Sequence, residues 1–141
     1  MIYTIQNEFL TVRVEDLGAQ LSSIQAPDGT EYLWQGDPDI WARRAPILFP
    51  FIARLRENTY CLDGQPYAIS THGFARDMVF SLVEQGEDHI SLQLADTPET
   101  RKVYPFSFSL TVTYTLEGNR LKKCHRVENR SDKDMYYELG A

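Results

Sequence analysis

One stretch of strict alternation constrains the fold of this chain more than any other feature. Between residues 106 and 116 every intervening position is serine or threonine, and the alternate positions are apolar: Phe106, Phe108, Leu110, Val112, Tyr114 and Leu116. Because successive side chains of a strand point to opposite faces, this pattern predicts a strand with one face in a core and the other lined by hydroxyls. The turn at residues 117–119 then predicts a return strand over residues 120–128.

Shorter strand signals recur along the rest of the chain and are separated by turn sequences. They predict strands at residues 2–6, 9–15, 21–26, 31–34, 47–52, 59–62, 66–70, 78–84, 90–95 and 135–139. The continuously apolar segment 47–52 is typical of a strand buried on both faces. Asp63-Gly64 is a hairpin signal, and only residues 97–103, with Pro98 at the first helical position, favour a short helical turn. The chain is therefore predicted to be all-β, folded as an antiparallel sandwich or barrel.

Length and composition limit the classes of protein to consider. The 141 residues predict a single domain spanning residues 1–141. With 14 Lys and Arg against 20 Asp and Glu, the net charge is −6, which argues against a nucleic-acid backbone as partner. No apolar run approaches the roughly 20 residues that span a bilayer, and the N-terminus enters strand-like alternation directly, so we expect no membrane partner and a cytoplasmic location.

The two cysteines, Cys61 and Cys124, lie far apart in the sequence. In a reducing compartment we expect both to be free, buried or half-buried side chains, although a disulfide remains open at this stage. Cys124 and His125 are adjacent, so on a strand they point to opposite faces and cannot easily share a metal ion. We therefore predict no metal site and no cofactor.

The segment from residue 46 to residue 77 carries most of the chemistry. An apolar, proline-bounded run ends at Arg54, and His72-Gly73-Phe74-Ala75-Arg76 follows one predicted hairpin later. An imidazole can donate or accept a proton near neutral pH, and guanidinium groups present fixed donors to hydroxyl, carboxylate or phosphate oxygens. We expect Arg54, His72 and Arg76 to converge on one polar ligand site.

These motifs resemble the aldose 1-epimerase (galactose mutarotase-like) family, especially its LacX-like branch related to hexose-phosphate mutarotases. The resemblance rests on Leu48-Phe49-Pro50 before Arg54, on the His72–Arg76 motif, and on the later landmarks at residues 104–108 and 127–129. It runs through nearly the whole chain and implies the large antiparallel β-sandwich of that family, a supersandwich about twice this length. The chain is thus expected to be an N-terminal half, and the strand at 135–139 would lead into the family's second catalytic histidine.

The resemblance also implies a role for each motif residue. His72 matches the first histidine of the family, which binds the sugar and helps to orient the ring oxygen, so it is the catalytic candidate. Arg54 matches a sugar-binding arginine, and Arg76 matches the arginine that would clamp phosphate in the sugar-phosphate branch. Structural interpretations remain open for each: a turn histidine bound to a backbone carbonyl, and an arginine paired with Asp77.

Two departures from the usual residues of the family, and one aromatic residue, bear on the identity of the substrate. The family commonly has glycine where this chain has Ala53, so a positive φ there would strain the backbone before Arg54 by roughly 1 kcal/mol. Thr71 replaces the asparagine usual before the histidine in the galactose branch, which weakens the case for free galactose. Trp41 is a candidate for stacking on a sugar face or, alternatively, a rim anchor, and Arg43 and Arg44 could add phosphate contacts.

The family's reaction interconverts the α and β anomers of a hexose or hexose phosphate by acid–base ring opening. Its general base glutamate and general acid histidine have no counterpart among these 141 residues, so we expect the isolated chain to be inactive. A non-catalytic carbohydrate-binding sandwich and an oligomerisation module remain alternatives. Because a half sandwich presents unpaired strand edges, we also expect self-association through exposed strands.

Overall fold

The computed structural model describes residues 1–141 and contains three antiparallel sheets and one α-helix. The first sheet has the order β1-β2-β3, formed by Ile2–Gln6, Thr11–Glu15 and Leu21–Gln25. A two-stranded hairpin pairs β4, Thr59–Leu62, with β5, Gln65–Ala68. The third sheet has the order β6-β7-β8-β9, formed by Ser81–Gln85, His89–Ala95, Phe108–Glu117 and Arg120–Asn129. The helix α1 covers Pro98–Val103. The all-β antiparallel prediction is confirmed.

The apolar faces of the three-stranded and four-stranded sheets form one shared core. The alternate apolar residues of β8 are all buried, and Tyr114 reaches across to donate a 2.8 Å hydrogen bond to the carbonyl oxygen of Ala19. On the opposite face of β8 the hydroxyls pair with β7: Ser91 lies 2.8 Å from Thr113, and Gln93 donates to Thr111. The predicted division of β8 into an apolar face and a hydroxyl face is therefore confirmed.

Local sequence signals are also confirmed at two connections. Asp63 and Gly64 have φ values of 51° and 78°, and positive φ at both central residues is the geometry of a type I′ hairpin turn. Thr97 caps α1 by accepting from the amide of Thr100, and Pro98 occupies the first turn, where its missing N–H loses no helical hydrogen bond.

Residues 47–52 do not form the doubly buried strand that their continuous apolar run predicts. Ile47 and Phe49 are fully buried, but Ile52 is 40% exposed, and the segment makes only isolated bridges, from Leu48 to Gly140 and from Phe49 to Gly73. Pro50 has no amide to donate, and the carbonyl of Phe49 accepts from the amides of residues 74 and 75. The run is thus a buried connector that joins two loops.

Three other predicted strands also differ from the strands in the structure. Residues 9 and 10 lie outside β2 because the Asn7 side chain accepts hydrogen bonds from both of their amides and holds a turn. Residues 31–34 contribute only a bridge at Glu31, whose carboxylate binds the amides of Ile24 and Leu33. Residues 135–139 form no strand, and the adjacent Gly140 makes an isolated bridge to Leu48.

Two further findings concern the cysteines and the membrane. Cys61 and Cys124 are both free, but both are exposed, so the expectation that they are buried or half-buried is wrong. No helix in the structure is both long enough and apolar enough to cross a bilayer.

Candidate functional site

A cavity of about 440 Å³ opens beside the buried connector, between the loop that precedes it and the turn that carries His72. Its wall combines cations with apolar and aromatic surface, and is formed by Trp41, Arg43, Arg44, Ala45, Pro46, Leu48, His72, Arg76 and Ala141. Its volume falls in the usual range for small-molecule sites, and a few polar groups set against apolar walls are typical of them.

The imidazole of His72 is held by a two-way contact with Ala53. The His72 amide donates to the Ala53 carbonyl, and the Ala53 amide donates to His72 Nδ1, both at 2.9 Å. Since Nδ1 accepts a hydrogen bond, the neutral ring carries its proton on Nε2. His72 therefore presents a donor to an oxygen atom of a ligand. Its contact is with a backbone N–H and not with the backbone carbonyl that the structural interpretation expected.

Gly73 allows the histidine turn to pack directly on the buried connector. Its φ is 71°, and a Cβ at this position would overlap the carbonyl oxygen of Phe49. That oxygen accepts from the amides of Phe74 and Ala75 at 3.0 and 3.2 Å. Both the backbone conformation and the close approach require glycine. The turn after His72 is thereby fixed to the core through Phe49.

Arg76 extends from the same turn into the cavity wall, and its side chain is only 19% exposed. Its Nη2 donates to the Thr71 carbonyl at 2.9 Å, and its Nε lies 3.5 Å from a carboxylate oxygen of Asp77. That Nε is buried without a hydrogen-bond partner, since the Asp77 contact does not meet hydrogen-bond geometry. The pairing of Arg76 with Asp77, one of the two interpretations from sequence, is thus present but weak.

Two further arginines complete a cationic cluster. Arg43 makes a 2.7 Å ion pair with Asp77, and Arg44 lies 3.3 Å from Glu15 on β2. The Nε of Arg44 is buried and has no hydrogen-bond partner, like that of Arg76. Three guanidinium groups therefore share two carboxylates, which leaves one positive charge without a partner at the cavity. From sequence, Asp77 was considered only as a partner of Arg76, and Glu15 was not identified, because the contacts of Arg43 and Arg44 link residues far apart in the chain.

Trp41 lies at the mouth of the cavity and is 48% exposed. Its backbone carbonyl accepts a 2.8 Å hydrogen bond from the indole nitrogen of Trp34, which ties the two tryptophans together. The exposed ring offers an apolar face next to the arginines. This placement is compatible with both interpretations from sequence, a stacking surface and a rim anchor.

Arg54 lies outside this cavity. Its side chain is exposed, and its Nε donates to the Asn58 side chain at 3.2 Å. The structure thus brings together His72, Arg76 and Trp41, and with them Arg43 and Arg44, which the sequence suggested as further phosphate contacts. Arg54 lies beside the His72–Ala53 contact but not on the cavity wall. Ala53 has a φ of 62°, so the left-handed conformation considered from sequence is present.

The remaining histidines lie elsewhere. His89 is the first residue of β7, and its ring contacts Asp88 and Glu84; the hydrogen bonds that the ring donates, first to Asp88 and then to Glu84, raise its pKa. His125 lies on the inner face of β9, where burial, and then the charge of Lys123, lowers its pKa. No group of three or more His, Cys, Asp and Glu side chains is arranged to hold a metal ion.

Comparison with known proteins gives a consistent result. The family model for aldose 1-epimerase matches residues 1–141. The chromosomal LacX protein of Lactococcus lactis subsp. lactis is 39% identical over 147 residues, which cover 100% of this chain and 49% of that protein. The galactose mutarotase related enzyme of Lactobacillus acidophilus is 39% identical with a TM-score of 0.97, and the match covers 99% of this chain and 47% of that enzyme. A galactose mutarotase-like protein of Lactobacillus casei is 35% identical with a TM-score of 0.96, covering 99% and 48%. The chain spans about half the length of these relatives.

Proposed function

This chain belongs to the aldose 1-epimerase family, and on that premise we propose that it forms the sugar-binding half of a protein that interconverts the α and β anomers of a hexose or hexose 6-phosphate. Its sandwich has the mutarotase-like fold of its structural relatives and corresponds to about half of their length. The cavity beside the buried connector is the proposed binding site.

Anomer exchange requires two proton transfers and no change of oxidation state. A base removes the proton of the anomeric hydroxyl while an acid protonates the ring oxygen, so the C1–O5 bond breaks and an open-chain aldehyde forms. Rotation about C1–C2 followed by the reverse transfers closes the ring on the other face. Each transfer needs its group within hydrogen-bond reach of the sugar.

His72 is the residue of this chain proposed to contact the reacting ring. With Nδ1 accepting from Ala53, its Nε2–H can donate to the ring oxygen and hold that oxygen in position. Its placement on a turn locked to the core through Gly73 and Phe49 keeps this donor in a defined geometry. The family's base and second histidine have no counterpart here, so we expect the isolated chain to bind sugar without turnover.

The observation that carries the proposal of an anionic sugar is the pair of buried arginine Nε atoms without partners, those of Arg44 and Arg76. A buried donor without an acceptor is unfavourable, and a phosphate offers several charged acceptor oxygens. The unbalanced positive charge of the cluster favours the same ligand. A hexose 6-phosphate would place its phosphate among the arginines and its ring between Trp41 and His72.

Calorimetric titration with glucose 6-phosphate and with glucose tests this assignment. Arg76→Ala should weaken binding of the phosphorylated sugar by about tenfold or more, the usual effect of losing a hydrogen bond to a charged group, and should change glucose binding little. Arg101→Ala is a matched control, because Arg101 pairs with Asp96 away from the cavity. Unchanged affinity of Arg76→Ala for glucose 6-phosphate would remove the phosphate from the proposal.

Arg54 keeps a proposed role at the edge of this site. Its side chain is held only by one hydrogen bond to Asn58 and lies next to Ala53, which contacts His72. A bound sugar that extends beyond the cavity could replace that hydrogen bond. Arg54→Ala should then weaken binding of glucose and glucose 6-phosphate alike, whereas affinities for both sugars unchanged from those of the parent chain would exclude Arg54 from the site.

The second candidate function is a non-catalytic carbohydrate-binding or oligomerisation module, which is favoured by the lack of the acid and base partners. NMR exchange spectroscopy of the anomers of glucose and glucose 6-phosphate separates the two: catalysis above the buffer rate by this chain alone contradicts a non-catalytic role. Self-association through exposed strands remains a prediction, for which sedimentation velocity is the test. A cytoplasmic location also remains a prediction.

A further inference from the structure

The C-terminal segment, residues 136–141, runs antiparallel to the buried connector. Leu48 and Gly140 exchange two backbone hydrogen bonds, at 2.8 and 3.0 Å. Two residues further along, the Glu138 amide donates to the Pro50 carbonyl at 2.8 Å, and Pro50 has no amide with which to return a hydrogen bond. Backbone pairing therefore stops being reciprocal at this point of the connector.

The amide of Ile52 binds a side chain instead of the backbone of the C-terminal segment. Continued by two more residues, the register sets Ile52 opposite Tyr136, whose carbonyl would be the acceptor in an antiparallel ladder. That carbonyl accepts from the Tyr104 hydroxyl at 2.9 Å. The Ile52 amide donates to Glu138 Oε2 at 2.8 Å. A carboxylate, which is a stronger acceptor than a carbonyl, thus replaces the backbone partner at the end of the connector.

The next amide along the chain is the one that holds the imidazole. The Ala53 amide donates to His72 Nδ1 at 2.9 Å, and the backbone of Ala53 is left-handed, with a φ of 62°. Glu138 therefore fixes the peptide that precedes Ile52, and the peptide that follows Ile52 carries the N–H that binds His72. Two successive amides are held by side chains from two distant parts of the chain.

We propose that Glu138 is a positioning residue for His72: its carboxylate holds the backbone of Ile52 and Ala53 in the conformation in which the Ala53 N–H binds Nδ1 and the Nε2–H is left to donate to a ligand. This inference rests on the proposed function, which assigns the Nε2–H to the ring oxygen of the sugar. Glu138 is exposed and is not part of the cavity wall, so it acts through the backbone and not on the sugar. A donor that is already oriented loses less freedom when the ligand binds.

Long-range proton–nitrogen NMR spectra of the His72 ring in two variants test this role. Glu138→Gln keeps the length of the side chain and an acceptor oxygen, so its spectrum should match that of the parent chain, with the proton on Nε2. Glu138→Ala removes the acceptor, so both neutral tautomers should be populated and the two ring nitrogen signals should move toward each other. An unchanged spectrum in Glu138→Ala would overturn the proposal. So would a Glu138→Gln spectrum that changes as fully as that of Glu138→Ala.

A measurement on the unaltered chain keeps the proposal testable if Glu138→Ala does not fold. NMR couplings across hydrogen bonds should connect the Ile52 amide nitrogen with the Glu138 carboxylate carbon, and the Ala53 amide nitrogen with His72 Nδ1. Detection of both couplings is expected. Absence of the coupling between Ile52 and Glu138 would overturn the role of the carboxylate, and absence of the coupling between Ala53 and His72 would remove the group that it is proposed to position.

Calorimetric titration of the same variants measures the consequence for binding. Glu138→Ala should weaken glucose and glucose 6-phosphate alike, by about threefold or more, because His72 is proposed to contact the ring that both share. Glu138→Gln should stay within about twofold of the parent chain. Glu117→Ala is the matched control, since Glu117 is an exposed carboxylate that contacts Lys122 at 3.4 Å beside the β8–β9 turn, and it should leave both affinities unchanged. Equal losses in Glu138→Ala and Glu117→Ala would overturn the proposal. If the parent chain binds neither sugar, the proposed function fails, and the His72 spectra still decide whether Glu138 positions the ring.

Discussion

Ala53→Gly should stabilise this chain, although it removes a side chain. Ala53 has a φ of 62°, a left-handed conformation that L-residues adopt at a penalty of about 1–2 kcal/mol. Glycine removes that penalty but adds about 0.4–1 kcal/mol of conformational freedom to the unfolded chain. Because Ala53 is exposed, losing its Cβ leaves no cavity in the core. The net stabilisation should be about 0.5–1 kcal/mol.

Urea denaturation followed by tryptophan fluorescence measures this difference, and the melting temperature should rise by about 2–4 °C. Ala68→Gly is the matched control, since Ala68 is also exposed but lies within β5 without a positive φ. There the same substitution should destabilise by about 0.5–1 kcal/mol. If both variants lose stability equally, the left-handed strain at Ala53 is refuted, and with it the local geometry that positions the His72 contact.

Three further predictions test the histidine turn and the ionisable groups. Gly73→Ala should destabilise by at least about 2 kcal/mol in urea denaturation, because its Cβ would overlap the Phe49 carbonyl in a positive-φ conformation. Burial raises the pKa of Glu31, but hydrogen bonds from a serine hydroxyl and backbone amides outweigh burial, so the net pKa is lowered. The free energy of unfolding should therefore fall as the pH drops below about 4.5, and it should fall less in Glu31→Gln. The hydrogen bond that the His89 ring donates to Asp88 raises the pKa of His89, so its stabilising contribution should be complete below about pH 6.5 and disappear above the raised pKa, a dependence that should be absent from denaturation curves of His89→Gln.

The regular parts of the fold could be predicted from sequence because their signals are local. The alternation of β8 is set by which face meets the core, and the Asp63-Gly64 turn is set by two residues that tolerate positive φ. Residues 47–52 could not be predicted in this way. Their apolar run indicates the burial of Ile47 and Phe49, but Ile52 is exposed, the hydrogen bonds of Phe49 go to residues 74 and 75, and no local pattern indicates a partner that distant.

In the candidate site, too, local sequence features could be predicted and contacts between distant residues could not. The His72–Arg76 motif and Trp41 were identified from residue type and spacing, and the structure places them around one cavity. The ion pairs of Arg43 and Arg44 depend on Asp77 and Glu15, which are brought near only by packing of the loop against β2 and the histidine turn. Arg54 lies outside the cavity and directly follows Ala53, whose backbone is left-handed.

The most direct test of the sugar-phosphate assignment is the long-range proton–nitrogen NMR spectrum of His72, assigned with His72→Gln. In the free chain the ring should carry its proton on Nε2, since Nδ1 accepts from the Ala53 amide. On addition of glucose 6-phosphate the His72 Nε2–H signal should shift with saturation, whereas His89 and His125 signals should not. A proton on Nδ1 in the free chain, or a His72 signal unchanged at saturating sugar phosphate, would contradict the account.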